Sequence, residues 1–402
     1  MDFSFLHAAD LHLGSPFVGI GKSNPKLQEH LQNAYFKSFR KLVDLAISRT
    51  VDLVLLSGDI FDDDRPSLQT QKIFRDGLNR LTAKGIPVVI ILGNHDADLL
   101  DNLYFALPEK VHILGTDQVD HLAMQVAGGT IDIFGLSFKP GQQARELKGI
   151  FKRGQPNNFA IGMLHCEIGN TSGTYAPVTI KQLSDCDIDY WALGHVHSPK
   201  VLSENPYIVY SGTIQGSNKN ELGSKGCFLV SVKDQFVNLE FNDLHSVLWT
   251  NVDLDISNFD KGELVDSLFD LKNRLRSSEQ GIMLKVNLTG FSQLNSWLLE
   301  KDEMEDIISE LRREEEKEDF VWITEVGIKT KPAELYTELF NSKDFLGDVL
   351  RLLEVAKLDK DNQMDLIKVF EEVAAGIEDE LDLNEIFEQA AFKAIELLGG
   401  GD

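Results

Sequence analysis

The stretch FSFLHAADLHLGSPF, residues 3–17, joins an apolar run to an acid and an imidazole two positions apart. The apolar opening, residues 3–6, indicates a buried β-strand, and Asp10 and His12 follow where that strand would end. Because residues i and i+2 of an extended chain point to the same side, these two side chains can bind one object together. Carboxylate and imidazole groups are both common metal ligands. The stretch therefore predicts the first strand of an α/β sheet, with a pair of metal ligands at its carboxyl end.

The same arrangement recurs through the first 245 residues. Short apolar runs end in polar groups, and helical patterns over 26–49 and 67–84 separate the first three runs. Such runs are typical of strands that are buried on both faces. Since ligands of α/β sheets bind at the carboxyl ends of the strands, we expect the groups that end the runs to converge. These groups are, in chain order, Asp10 and His12, Asp59, Asn94 with His95 and Asp96, His165, and His195 with His197.

The patterns also predict the domain organisation. Three short apolar runs within 111–138 follow one another without helices, which predicts an antiparallel meander. Together with the neighbouring strands, they predict a two-sheet α/β sandwich over residues 1–245. Residues 246–330 are expected to form a small α/β domain, and residues 331–402 an acidic helical C-terminal tail. Helical apolar stripes in that tail fall at 346–353, 366–373 and 387–395.

The converging groups are too many for one metal ion. With His95 and Asp96 set aside, they comprise two carboxylates, one amide and four imidazoles, whereas a tetrahedral site takes four ligands. Such a set suits two divalent ions, and Asp59 can bridge them because a carboxylate has two oxygens. Mixed nitrogen and oxygen ligands favour manganese, iron or zinc over calcium and magnesium. The expected chemistry is attack on a phosphate ester by a hydroxide that the two ions activate.

The chain resembles the calcineurin-like metallophosphoesterases in its ordered motifs, Asp10-x-His12, Gly58-Asp59, Gly93-Asn94-His95-Asp96, His165 and Gly194-His195-x-His197. The resemblance covers residues 1–245. It implies that His95 contacts the scissile phosphate and protonates the leaving oxygen, and that Asp96 orients His95. The implied metal ligands are Asp10, His12 and His197 for the first ion, Asn94, His165 and His195 for the second, and Asp59 as the bridge.

The opening stretch, the sequence SGDIFDDDRPS and the domain layout resemble more narrowly the SbcD-type DNA repair exonucleases, and among them the bacterial YhaO group. This resemblance implies DNA as the substrate, two Mn²⁺ ions, a cap at residues 246–330 that shapes DNA access, and a homodimer. It also implies that the C-terminal helices dock on an SbcC-like or YhaN-like ATPase. The chain departs from the pattern at Asp62, where some members carry a second histidine three residues after the bridging aspartate.

Composition keeps other hypotheses open. The 402 residues include 64 acidic and 39 basic side chains, a net charge of −25. DNA-binding proteins usually present a basic stripe, and none is evident here. A second hypothesis is therefore a phosphodiesterase or phosphatase that acts on a nucleotide or phosphorylated metabolite, and a third is a non-enzymatic scaffold of an ATPase partner. The absence of a long apolar run and of a signal pattern, with only three cysteines, predicts a cytoplasmic protein that does not span a membrane.

Overall fold

The computed structural model describes residues 2–17, 24–62, 65–96, 99–116, 118–138, 151, 153, 155–169, 178–278, 280–358 and 391. The chain divides into two compact units. The first comprises Met1–Trp249 with Ser278–Gly281 and Glu316–Asp319, and the second comprises Thr250–Ser277, Ile282–Glu315 and Phe320–Asp402. The predicted stripe at 366–373 lies outside the described residues, as does the stripe at 387–395 except for Ala391.

Two six-stranded sheets form the first unit in the described part of the chain. The strands of the first sheet are β1 (Asp2–Ala8), β2 (Leu53–Ser57), β3 (Val88–Ile91), β4 (Val111–Ile113), β11 (Gly226–Lys233) and β12 (Phe236–Asp243). Those of the second sheet are β5 (Asp120–Val126), β6 (Gly129–Leu136), β7 (Phe159–His165), β8 (Tyr190–Gly194), β9 (Lys200–Glu204) and β10 (Tyr207–Tyr210). The spatial orders are β12-β11-β1-β2-β3-β4 and β5-β6-β7-β8-β10-β9. Strands β1 to β4 are parallel, as are β6, β7, β8 and β10.

Helices cover the outer faces of the two sheets. They are α1 (Pro25–Ser48), α2 (Leu68–Ala83), the short α3 (Leu99–Asn102) and α4 (Ile180–Ser184). Successive strand residues point to opposite faces. On β1, Leu6 packs in the apolar cluster that contains α1 and α2 side chains, while Phe5 packs in the cluster between the sheets. Trp191 of β8 and Leu183 of α4 belong to a third cluster. The predicted two-sheet α/β sandwich is therefore confirmed, and its strands β2, β3, β7 and β8 are buried on both faces.

Local sequence explains where the two long helices begin. The Asn24 side chain accepts hydrogen bonds from the backbone N–H groups of Lys26 and Leu27, and a proline opens α1, where its missing N–H costs nothing. Ser67 caps α2 by accepting from the N–H of Thr70. Both helices thus start directly after the loops that leave the carboxyl edge of the first sheet.

The predicted meander over 111–138 is only partly correct. Strand β4 joins the first sheet parallel to β3, whereas β5 and β6 form an antiparallel hairpin in the second sheet. Strand β6 then runs parallel to β7. Periodicity is a local property and does not report the partner strand. The short α3 gives no helical period that would have signalled a crossover before β4.

The second unit contains a three-stranded sheet in the order β13-β14-β16 within its described residues. Its strands, with the boundary strand β13, are β13 (Val247–Asp255), β14 (Gly281–Thr289), β15 (Phe291–Ser292), β16 (Val321–Ile328) and β17 (Lys331–Pro332). Its helices are α5 (Lys261–Leu275), α6 (Asn295–Leu298), α7 (Lys301–Leu311), α8 (Ala333–Asn341) and α9 (Phe345–Leu358). Leu346 and Leu350 of α9 pack with Phe291 and Ala391. None of the helices in the described ranges combines the length and apolar character needed to cross a membrane.

Candidate metal centre

The carboxyl ends of strands from both sheets bring the predicted site residues together. The chain places Asp10 and His12 after β1, Asp59 after β2, Asn94, His95 and Asp96 in a 3-10 turn after β3, His165 at the end of β7, and His195 and His197 after β8. Backbone bonds join the first two loops, because Asp10 N donates to Gly58 O and His12 N donates to Asp59 O, each at 3.0 Å. The two loops are therefore hydrogen-bonded to each other, and together they carry three of the predicted ligands.

Backbone conformation is unusual at several of the same positions. Four predicted ligands have positive φ angles, 49° at Asp10, 42° at His12, 48° at Asp59 and 97° at His195. For residues other than glycine such conformations cost on the order of 1–3 kcal/mol each and persist only where neighbouring interactions enforce them. The hydrogen bonds between the first two loops supply that enforcement at Asp10, His12 and Asp59. Four further described non-glycine residues with positive φ lie away from the site, so the strained conformation accompanies the ligand loops without identifying them.

The first ligand group consists of Asp10, His12 and His197, whose ligand atoms lie within 4.8 Å of one another. The Nε2 atoms of His12 and His197 are 3.2 Å apart. Each Nδ1 lies beside a carboxylate, 3.4 Å from Asp62 Oδ1 for His12 and 2.6 Å from Glu221 Oε1 for His197. Protons on Nδ1 leave the two Nε2 lone pairs facing each other. Two nitrogens bound at right angles to one ion, each at about 2.1 Å, stand roughly 3.0 Å apart, so the pair fits a divalent metal ion.

The second group consists of Asp10, Asp59 and His165, all of them buried. Nδ1 of His165 donates to the backbone oxygen of Ser57 at 3.0 Å. Its Nε2 lies 3.3 Å from Asp59 Oδ2 and 3.1 Å from Asn94 Oδ1. In the neutral ring that nitrogen is an acceptor, as are both oxygens, so the three atoms require a shared cation. A metal ion meets this requirement, and a proton on Nε2 meets it when the metal is absent.

Asp59, a member of the second group, also faces the first group. Its Oδ2 is 3.8 Å from Nε2 of His12 and 3.3 Å from Nε2 of His165. Its Oδ1 accepts a hydrogen bond from the backbone N–H of His95 at 3.0 Å. One carboxylate oxygen thus faces an imidazole of each group, which is the placement that a bridging ligand needs.

His195 connects the second sheet to the first ligand group. Its backbone N–H donates to both carboxylate oxygens of Asp10, at 3.0 and 3.1 Å. The centroid of its ring lies 5.3 Å from that of His165. The ring is therefore next to the second group, while its backbone fixes a carboxylate of the first.

His95 stands beside the ligands and belongs to neither group among the described residues. Its ring centroid is 5.2 Å from that of His12. Nδ1 donates to the backbone oxygen of Asp62 at 3.2 Å. The ring is exposed and oriented, which suits a group that exchanges a proton with a substrate.

The contacts of Asp96 differ from those that the resemblance implied. Its buried carboxylate accepts hydrogen bonds from the backbone N–H groups of Ile60, Phe61 and Gly93 at 3.0–3.2 Å. Within the described ranges neither oxygen is hydrogen-bonded to the His95 ring, whose Nδ1 is held by the Asp62 backbone instead. Asp96 therefore ties the loop after β2 to the loop after β3, and it acts on the backbone rather than on the imidazole.

Glu221 is a site residue that sequence analysis missed. It lies in the loop between β10 and β11, and its Oε1 is 2.6 Å from Nδ1 of His197. Its Oε2 accepts from the backbone N–H and the hydroxyl of Ser217, at 2.6 and 3.2 Å. No strand end and no motif marks this loop in the sequence. Only the folded chain brings it to His197.

Charges at the site shift several pKa values. Burial disfavours a charged His165, yet the charge of Asp59 outweighs it and the pKa of His165 rises to about 9. Burial likewise opposes ionisation of Glu221, but its hydrogen bond with His197 helps to lower the pKa to about 2. Burial, reinforced by the charge of Asp59, raises the pKa of Asp96 to about 6. Without a metal, protons on imidazoles balance the carboxylates, and a divalent cation would take over that role.

Two glycines allow the ligand loops to approach one another. A Cβ on Gly194 would lie 1.9 Å from the backbone oxygen of Ser57. Gly58 has φ +89°, and a Cβ there would lie 2.3 Å from Nδ1 of His165. Any larger residue would collide with the second ligand group, which explains why glycine ends the runs before Asp59 and His195.

Comparison with known proteins agrees with this geometry. The profile of the family described as "Calcineurin-like phosphoesterase" matches residues 3–199. YhaO of Bacillus subtilis (strain 168), named an uncharacterized metallophosphoesterase, is 32% identical over 368 residues, which cover 89% of this chain and 88% of YhaO. The DNA double-strand break repair protein Mre11 of Thermoplasma acidophilum is 25% identical over 307 residues, 71% of this chain and 76% of its own. The SbcD component of the nuclease SbcCD from Staphylococcus saprophyticus is 25% identical over 263 residues, 59% and 67% of the two chains.

Proposed function

This chain belongs to the calcineurin-like metallophosphoesterases, hydrolases of phosphoester bonds that use a dinuclear metal site. We propose that it is a manganese-dependent nuclease that cleaves DNA phosphodiesters. The observation that carries the proposal is the position of His95, adjacent to the ligand groups but outside them. Its Nδ1 is held by a backbone oxygen, so Nε2 remains for the substrate. The alkoxide released from DNA is a poor leaving group and requires such a proton donor. The named activities of the Mre11 and SbcCD relatives support DNA as the substrate.

The proposed assignment of ligands to the two ions is the one that the family resemblance implies, and the contacts described above support it. Asp10, His12 and His197 would hold one ion, and Asn94, His165 and His195 the other, with Asp59 shared. When bound, two divalent ions lower the pKa of water and neutralise phosphate charge. His95 protonates the leaving oxygen from Nε2. Asp96 keeps the loops after β2 and β3 in register so that His95 stays next to His12.

The acidity of the chain bears on how DNA is bound. A net charge of −25 repels a polyanion, so we propose that an SbcC-like or YhaN-like ATPase partner supplies basic surface. The relative from Staphylococcus saprophyticus is itself named as one part of a larger nuclease. Exposed Phe345, Leu352 and Val355 form a stripe on α9, opposite the buried Leu346 and Leu350, and this stripe is the proposed contact with the ATPase.

We propose that residues 246–330 act as a cap that guides DNA, that the chain forms a homodimer, and that it works in the cytoplasm. The cysteines Cys166, Cys186 and Cys227 are free thiols, which suits a reducing compartment.

The test is cleavage of end-labelled single- and double-stranded DNA by the full chain, with Mn²⁺ and with a chelator, beside the His95→Ala variant and a small chromogenic diester. Manganese-dependent DNA cleavage that the variant loses supports the nuclease. If only the small diester is hydrolysed, with and without the ATPase partner, the nuclease hypothesis is replaced by that of a metabolite phosphodiesterase, with which the net charge of −25 agrees. If neither substrate is hydrolysed and Mn²⁺ binds weakly, the hypothesis of a non-enzymatic scaffold of an ATPase partner remains.

A further inference from the structure

The histidines of the two ligand groups differ in the kind of group that lies beside their Nδ1 atoms. In the first group, Nδ1 of His197 is 2.6 Å from the carboxylate of Glu221. Nδ1 of His12 is 3.4 Å from the carboxylate of Asp62. In the second group, Nδ1 of His165 donates to the backbone oxygen of Ser57, which is neutral. A carboxylate therefore lies beside each Nδ1 of the first group and is hydrogen-bonded to that of His197, whereas a peptide carbonyl accepts from Nδ1 of His165.

Glu221 is itself held in place. Ser217 donates its backbone N–H and its hydroxyl to Oε2, which leaves Oε1 for His197. The Glu221 side chain is 14% exposed, so its charge is only partly screened by solvent. The His197 side chain is 36% exposed, whereas that of His165 is 1% exposed. Packing fixes the ring of His165, but the ring of His197 depends on its carboxylate partner for orientation.

We infer that Glu221 is a positioning residue that sets the affinity of the first metal ion and leaves the second unaffected. A carboxylate on Nδ1 fixes the tautomer, directs the Nε2 lone pair at the ion and increases the basicity of the ring. Loss of such a partner typically weakens metal binding 10–100-fold. Because Glu221 contacts His197 and no residue of the second group by a hydrogen bond in the described part of the chain, its effect is confined to one ion. The inference rests on the two-ion site and not on the identity of the substrate.

The test measures Mn²⁺ affinity in the metal-free full chain, without substrate, by calorimetry and by the paramagnetic resonance of free Mn²⁺. Glu221→Gln keeps an acceptor for Nδ1 but removes the charge, and Glu221→Ala removes both. We expect two binding steps in the parent protein. One step should weaken about 10-fold in Glu221→Gln and up to about 100-fold in Glu221→Ala, while the other stays within about 2-fold. Glu240→Gln, which alters a surface pair with Arg49, is the matched control and should change neither step.

Introducing Glu221→Gln into two other variants identifies which of the two ions it affects. In Asn94→Ala, which lacks a predicted ligand of the second ion, binding of the first ion should still weaken when Glu221→Gln is added. In His197→Ala, Glu221→Gln should have no further effect, because the ring it positions is gone. Equal weakening of both steps, no weakening, or an undiminished effect in the His197→Ala background would each overturn the inference. Far-ultraviolet circular dichroism of each metal-free variant confirms folding, and none of these results depends on DNA cleavage.

Discussion

Nδ1 of His95 lies 3.2 Å from the backbone oxygen of Asp62 and donates its proton there. The same residue places its carboxylate 3.4 Å from Nδ1 of His12. Asp62 thus orients the proposed proton donor with its backbone and places its carboxylate beside a predicted metal ligand. The family resemblance implies a histidine here in some members, whereas in this chain the residue is an aspartate whose backbone carbonyl accepts from the His95 ring.

Substitution of His95 should affect catalysis in proportion to the need for a proton. In His95→Ala we expect DNA cleavage to fall about 10²–10⁴-fold, because the alkoxide leaving group must be protonated. Hydrolysis of a 4-nitrophenyl diester should fall much less, since its phenolate leaves without a proton. The kcat values for the two substrates, with Mn²⁺ affinity measured alongside, check this. His112→Ala on β4 is the control, and an equal loss on both substrates would contradict the role.

Gly58 offers a test of the close approach between loops. Gly58→Ala should weaken Mn²⁺ binding at least 10-fold, because its Cβ would lie 2.3 Å from Nδ1 of His165 at a backbone φ of +89°. Gly85→Ala is a matched control, since Gly85 has φ +83° with nothing within 4 Å of the added Cβ. It carries the conformational cost of roughly 1 kcal/mol without the collision. Mn²⁺ titration and urea unfolding separate the two effects, and similar metal affinities in the two variants would argue against the collision.

Asp96 should matter for stability more than for proton transfer. Asp96→Ala leaves the buried N–H groups of Ile60, Phe61 and Gly93 without their acceptor, so the free energy of unfolding should fall by about 3 kcal/mol or more. Urea unfolding of the metal-free protein measures this, with the exposed Asp76→Ala as control. The ratio of DNA cleavage to 4-nitrophenyl diester hydrolysis should stay near that of the parent. A ratio as low as that of His95→Ala would instead support the role implied by family resemblance.

His7 should make the first unit sensitive to acid. Nδ1 of His7 accepts from the Tyr190 hydroxyl and Nε2 donates to the backbone oxygen of Leu193, while burial lowers the pKa of His7 to about 3. Below about pH 6.5 the His7 imidazole of the unfolded chain is protonated, whereas that of the folded chain stays neutral. The free energy of unfolding should therefore fall by up to about 1.4 kcal/mol per pH unit from this residue between pH 6.5 and pH 3. His7→Gln, unfolded by urea at several pH values, should show a shallower slope, and identical slopes would refute the assignment.

Most of the ligand set could be predicted from the sequence because parallel strands impose a common geometry. Once the apolar runs are recognised as buried parallel strands, the residues at the carboxyl ends within each sheet must share an edge, and packing of the two sheets brings the two edges together. This reasoning predicts that Asp10, Asp59 and His165 converge, and the structure places their ligand atoms within 4.8 Å of one another. The strand pairing of residues 111–138 was predicted only in part, because alternation of apolar residues does not identify the partner strand.

By itself, the sequence determined the two-sheet sandwich, the strand ends and the chemical types of the ligands, since these depend on local periodicity and on which residue follows a strand. Only the tertiary structure decided which groups hold those ligands. Glu221 is hydrogen-bonded to His197, which lies 24 positions away in the chain. Asp96 accepts hydrogen bonds from backbone N–H groups of another loop and not from the neighbouring His95 ring. Such contacts arise where irregular loops from different strands meet. Loops have no period, so their partners are set by packing and hydrogen bonding in the folded chain.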